Sequence, residues 1–187
     1  MYGYEIIQEI AQFLTGDDVI VSTNGNISRQ VYHYLPRPQI YLRGSMGLGI
    51  PVGLGVALSC PEKRVLVIAG DGNLLMGLGS LATTSFVRPR NLRILVLDNN
   101  EYATTGHQQT TSETLNYPSL LEGFGIANLE PIQRNDSVGD VRTKIQALLA
   151  ASELCILPAL VKSNPPTLSN IPWHPEKIAA FQRATEH

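Results

Sequence analysis

The stretch Val65-Leu66-Val67-Ile68-Ala69-Gly70-Asp71-Gly72-Asn73 decides the fold class. Its first five residues are apolar and three of them are β-branched, the pattern of a strand buried on both faces. The run passes directly into Gly70-Asp71-Gly72, a turn signal. The pattern then predicts a helix from about Leu74 to Phe86. Arg93 to Leu97 repeats the buried-strand composition and ends at Asp98-Asn99-Asn100. Strand, crossover helix and strand occupy residues 65–97, the length of one right-handed βαβ unit.

Upstream, Tyr4 to Leu14 has helical periodicity, Val19-Ile20-Val21 reads as a strand, and Ser22 to Asn26 reads as a loop. Ser28 is placed to cap a helix reaching Leu35, and Ile40 to Leu42 is a short strand leading into Gly44-Ser45-Met46-Gly47. The apolar, glycine-rich run that follows, as far as Ser59, has weak intrinsic helix propensity. It makes sense as a helix whose glycines let it lie close against a sheet or another subunit. Downstream, Ala103 to Ser112 is too polar for core and long for a connector, which suits a binding loop. A helix over 137–151 and a strand over 155–161 complete the pattern. A Pro- and Asn-rich tail begins at about residue 163, with a short helix from Pro175. The expected architecture is α/β: a doubly wound, mostly parallel sheet with helices on both faces, in one domain over residues 1–187.

With 14 basic and 16 acidic side chains among 187 residues, the formal charge is −2, so binding of nucleic acid or lipid by bulk charge is excluded. An apolar content of 43% argues against a disordered chain. Cys60 and Cys155 stand far apart and form no C-x-x-C pair, so neither a zinc site nor a disulfide framework is expected. There is no secretory n-region, and the apolar runs are too short to span a bilayer. A soluble, cytoplasmic protein is the expectation.

Three polar clusters lie just past the predicted strands: Thr23 to Asn26, Gly70 to Asn73 and Asp98 to Glu101. Open α/β sheets bind ligands at those carboxyl ends. Asp71 offers a carboxylate and Asn99 an amide oxygen from successive strands, which with a diphosphate would make an oxygen site for Mg²⁺. Taken alone, these residue types fit a capped turn and a strand-ending Asn equally well. The competing phosphate motifs are missing: the chain has no Gly-Lys pair, and Gly47-Leu48-Gly49 is followed by Gly53, which breaks the G-x-G-x-x-G spacing.

Gly70-Asp71-Gly72-Asn73 followed by Asn99-Asn100-Glu101-Tyr102 resembles the thiamin diphosphate motif, which begins Gly-Asp-Gly and closes with Asn. The Gly44-Ser45-Met46-Gly47 segment and its glycine-rich helix resemble the stretch preceding that motif in thiamin-dependent decarboxylases. Roughly residues 4 to 185 match the diphosphate-binding domain. Tyr41 to Leu48, Leu78 to Thr83 and Thr105 to Thr110 are most similar to the separate β subunits of sulfopyruvate decarboxylase and to phosphonopyruvate decarboxylases.

The resemblance implies a thiamin diphosphate- and Mg²⁺-dependent 2-oxo acid decarboxylase. Asp71, Asn99 and the Glu101 backbone carbonyl are the implied metal ligands. Gly72, Asn73, the Thr104 backbone and the loop Asn24-Gly25-Asn26 are implied to hold the diphosphate. Gly44 is the implied acceptor for the aminopyrimidine, and Met46 is the bulky residue beneath the bent cofactor. The implied cofactor-binding set also takes in Ser45, Gly70, Tyr102 and Ala103. Asn73 stands where the family often has Ser. The carboxylate that activates the aminopyrimidine belongs to a pyrimidine-binding domain, so a partner α subunit is the expected source of that Glu. His107, in the polar loop, is a candidate to face substrate or donate a proton. His33 reads as structural, His174 and His187 as exposed, and Arg43 as a strand-end salt bridge. The 103–112 loop carries no Lys or Arg for an anionic substrate group. Another lyase or carboligase activity, or a non-catalytic cofactor-binding subunit, are the alternatives.

Overall fold

A computed structural model describes residues 1–172 and Glu176. Apart from Glu176, the last part of the tail and the expected helix from Pro175 lie outside the described residues, as do His174 and His187. Six parallel strands form the main sheet: β1 Asp18–Ser22, β2 Ile40–Tyr41, β3 Arg64–Gly70, β4 Leu92–Asp98, and, later in the chain, β7 Ala127–Asn128 and β8 Cys155–Leu160. Their order is β2-β1-β3-β4-β8-β7, with β3 and β4 central as their unbroken apolar runs predict. A two-stranded antiparallel ribbon, β5 Glu101–Tyr102 with β6 Gln108–Gln109, stands apart.

Strand alternation divides the core into two layers. Ile20, Leu66, Ile68, Leu95 and Leu97 face one way, toward α1 (Gly3–Ala11), α2 (Asn26–Tyr34) and α7 (Val138–Ala150). Val19, Val21, Val65, Val67, Ile94 and Val96 face the other way. That second layer is covered by α3 (Gly49–Ser59), α4 (Asp71–Met76), α5 (Ser80–Val87) and α6 (Tyr117–Gly123). The sheet is therefore doubly wound. The glycine-rich helix packs as its composition suggests: a Cβ on Gly53 would fall 2.2 Å from Val67 Cγ2, and one on Gly49 would fall 2.3 Å from Thr23 Cγ2. Side chains at these two positions would hold α3 off the sheet.

Several elements differ from the expectation. The helix predicted over 74–86 is two helices separated by Gly77-Leu78-Gly79, because Gly77 packs directly on the Gly47 carbonyl. The first of them begins at Asp71 itself, so the Gly-Asp-Gly turn is already helix N-terminus. Ser28 lies inside α2 and donates to the Gly25 carbonyl at 3.2 Å; Gly25 occupies the cap position. α6 and β7, which the pattern did not predict, are short. α7 begins as predicted, with Ser137 and Asp140 forming a reciprocal capping box. Cys60 and Cys155 are both free and buried, and no described helix is long and apolar enough to cross a membrane.

Candidate functional site

The carboxyl ends of β1, β3 and β4 open into one cleft, as the parallel topology requires. From the predicted set, Asn24, Gly25, Asn26, Met46, Gly70, Asp71, Gly72, Asn73, Asn99, Glu101, Tyr102, Ala103 and Thr104 all line it. Gly44 and Ser45 do not; they lie on the exposed turn before Met46, where Ser45 has a φ of +57°. His107 is also outside the lining, with its side chain 58% exposed and Nδ1 3.2 Å from Glu101 Oε2. Arg43 is exposed but has an interaction partner, so it is not a free cation.

Asp71 is 2% exposed. Burial pushes its carboxyl up to about 6, with the nearby Asp98 adding to the effect, while the Thr110 and Ser112 hydroxyls and the Gly72 N–H oppose it. A carboxylate so placed is short of positive charge. Thr110 Oγ1 donates to Asp71 Oδ2, and Ser112 Oγ donates to Asp98 Oδ1 at 2.9 Å. Tyr117 OH donates to Asp98 Oδ2 at 2.8 Å, and its own pKa is raised, first by burial and then by that carboxylate. Thr110, Ser112 and Asp98 thus form a buried brace beneath the β3 and β4 ends. The sequence carries no periodic signal for it, because its hydroxyls lie in a polar loop whose burial only the fold decides.

The end of the Asn99 side chain sits 3.1 Å from the Glu101 carbonyl oxygen and 3.2 Å from Asp71 Oδ1. With the amide nitrogen turned toward them, it donates to both. With the oxygen turned toward them, its two spacings are close to the roughly 3.0 Å between neighbouring ligands of an octahedral ion bound at about 2.1 Å. Among the described residues, no cluster of three His, Cys, Asp or Glu side chains could hold a metal. An ion here would therefore be held by a carboxylate, an amide, a carbonyl and a ligand's own oxygens.

Gly72 is the point where two side chains from other segments meet the Gly-Asp-Gly turn. A Cβ there would fall 2.5 Å from Tyr102 Cε1 and 2.9 Å from Met46 Cε, so Met46 and Tyr102 both close over this glycine. The Gly47 N–H donates to Asn73 Oδ1 at 3.2 Å, which ties the Met46 turn to the Gly-Asp-Gly turn. Asn24 Oδ1 is buried with no hydrogen-bond partner and lines the same cleft. An orphaned side-chain amide oxygen in this cleft fits a polar ligand at this place. Sequence reasoning missed Gly3, Ile27, Gln30, Leu97, Thr105, Val161, Lys162 and Pro165, which also line the cleft. They come from distant segments, and only the folded topology brings them there.

Comparison with known proteins places this arrangement. Residues 23–157 match the family described as thiamine pyrophosphate enzyme, C-terminal TPP binding domain. The sulfopyruvate decarboxylase subunit beta of Methanocaldococcus jannaschii is 40% identical over 124 residues, 65% of this chain and 65% of that one. The phosphonopyruvate decarboxylase of Streptomyces hygroscopicus is 37% identical over 165 residues, 88% of this chain and 37% of that one. The chain thus spans less than two thirds of either relative. Among solved structures, benzoylformate decarboxylase from Polynucleobacter necessarius superimposes with a TM-score of 0.74 over 90% of this chain and 34% of its own. At 14% identity that likeness speaks for the fold alone. With the family model covering most of its length, the Gly70 to Asn73 and Asn99 to Thr104 parts of the cleft included, the chain belongs to the thiamine pyrophosphate enzymes as a C-terminal TPP binding domain.

Proposed function

We propose that this chain is the metal- and diphosphate-holding subunit of a thiamin diphosphate- and Mg²⁺-dependent 2-oxo acid decarboxylase of the sulfopyruvate or phosphonopyruvate type. The observation that carries the reading is the Asn99 amide standing 3.1 Å from the Glu101 carbonyl oxygen and 3.2 Å from Asp71 Oδ1. These three groups would hold Mg²⁺, and the backbone at Gly72, Asn73 and Thr104, with the Asn24 to Asn26 loop, would hold the diphosphate. Met46, fixed over Gly72 through the Gly47–Asn73 bond, is placed to support the cofactor from below. Thiamin diphosphate, when bound, supplies a nucleophilic carbon and an electron sink for decarboxylation. This chain's residues bind and orient it. Residues 1–187 act in this reading as one diphosphate-binding domain with a tail from about 163.

A partner chain supplies the activating Glu in this proposal. Among the described residues, the acidic side chains lining the cleft are Asp71, assigned to the metal, and Glu101, whose Oε2 faces His107. His107 is assigned no more than a loop contact to Glu101. Leu48 and Met76, on either side of the Gly47–Gly77 contact next to the Met46 turn, are exposed apolar side chains. Such surface beside a cleft suits a subunit interface. The two free, buried thiols agree with a cytoplasmic, reducing setting.

Release of CO₂ from sulfopyruvate, phosphonopyruvate and pyruvate, with cofactor and Mg²⁺, tests the reading. Turnover is expected only when the chain is assembled with a pyrimidine-domain partner, and full turnover by this chain alone would refute the split. Thr110→Val, which strips Asp71 Oδ2 of its hydroxyl donor, is expected to weaken Mg²⁺-dependent cofactor binding by about tenfold in calorimetry, the usual cost of losing an outer ligand-orienting bond.

A further inference from the structure

Lys162 follows β8, on the far side of β4 from the Gly-Asp-Gly turn, and lines the same cleft. Among the described residues it is the only Lys, Arg or His in that lining. No carboxylate is ion-paired with it among those residues. Its backbone is fixed by the amino-terminal segment, because Lys162 N–H donates to the Met1 carbonyl at 2.9 Å and Tyr2 bridges to Lys162 in parallel. Its ammonium lies 5.7 Å from the Tyr2 ring centroid, which guides the stem without neutralising the charge. The same lining holds Gln30, which is 5% exposed and has a buried Oε1 without a partner. A rotatable amide there offers the cleft either an acceptor or two donors.

Electrostatics gives these two residues a task. One Mg²⁺ cannot neutralise both a diphosphate and the buried Asp71, and Glu101 adds further negative charge to the same lining. We propose that Lys162, seconded by the Gln30 amide, is a further diphosphate-binding position, taking up the phosphate charge the metal leaves. The proposal rests on the cofactor reading above, and its test separates the two.

Calorimetry on the full chain, assembled with its partner, measures binding of Mg²⁺–thiamin diphosphate and of Mg²⁺–inorganic diphosphate. Lys162→Met keeps the stem that lies beside Tyr2 and removes the charge. It is expected to weaken both ligands about tenfold, and Lys162→Arg is expected to restore affinity to within about twofold. The deficit of Lys162→Met is expected to shrink as salt rises from about 0.05 to about 0.5 M. Gln30→Leu is expected to weaken inorganic diphosphate as well. Unchanged affinity for both ligands in Lys162→Met and in a second variant, Lys162→Gln, would overturn the Lys162 assignment while leaving the cofactor site intact. If Asp71→Ala also keeps wild-type Mg²⁺-dependent binding, the cofactor site itself fails.

Discussion

In Asp71→Ala, Mg²⁺-dependent binding of thiamin diphosphate is expected to fall at least about 100-fold, more than the loss of an orienting neighbour costs. Three features set the size of the effect. Asp71 supplies the only carboxylate among the three proposed ligands, so its removal takes away the charge that attracts the ion. Burial beside Asp98 already pushes Asp71 up to about 6, which means the folded chain holds this group against its own solvation. A cation offsets that penalty, whereas an unliganded fold gains nothing from it. Asp71→Asn therefore separates function from folding. It keeps the shape and an acceptor for Thr110, so the melting temperature of the cofactor-free chain is expected to match or exceed that of the unaltered one. Its Mg²⁺-dependent binding is expected to fall with that of the alanine variant, though less steeply. Equal metal dependence in all three chains would remove Asp71 from the metal site.

Legibility of this site in the sequence followed from how local each feature is. β3 and β4 announce themselves because a strand buried on both faces must be apolar at every position, and 65–69 and 94–97 are. Parallel order then places Asp71 and Asn99 side by side without further information. The split of the predicted 74–86 helix was not legible, because what stops it is Gly47, distant in sequence. Thr110 and Ser112 were legible only as part of a polar binding loop; they are buried because two carboxylates, Asp71 and Asp98, need donors. Lys162 and Gln30 carry no motif at all. They reach the cleft through the pairing of the amino-terminal segment with the end of β8 and through α2 crossing behind β1 and β3.

Gly77→Ala is expected to destabilise the chain by about 3 kcal/mol, at the upper end for inserting a methyl group into a packed site. For a chain of this length that lowers the melting temperature by roughly 6–12 °C. The reason is that the added Cβ would fall 2.1 Å from the Gly47 carbonyl oxygen, 2.9 Å from its carbon and 3.1 Å from its Cα. All three are backbone atoms, so no side-chain rotation relieves the clash and one segment must move. Gly47 is held on its other side by the N–H bond to Asn73 and has a φ of +87°, which few residues other than glycine adopt readily. Displacing it carries Met46 away from Gly72, so cofactor affinity is expected to fall together with stability. Gly79→Ala is the matched comparison, two residues along. Its Cβ would meet nothing within 4 Å, and its φ of −59° and ψ of −23° suit alanine. That change is expected to be neutral or to stabilise by about 0.5 kcal/mol through the unfolded chain. Urea unfolding of both variants decides the matter, since similar midpoints would mean that the Gly47–Gly77 contact does not fix the Met46 turn on the floor of the cleft.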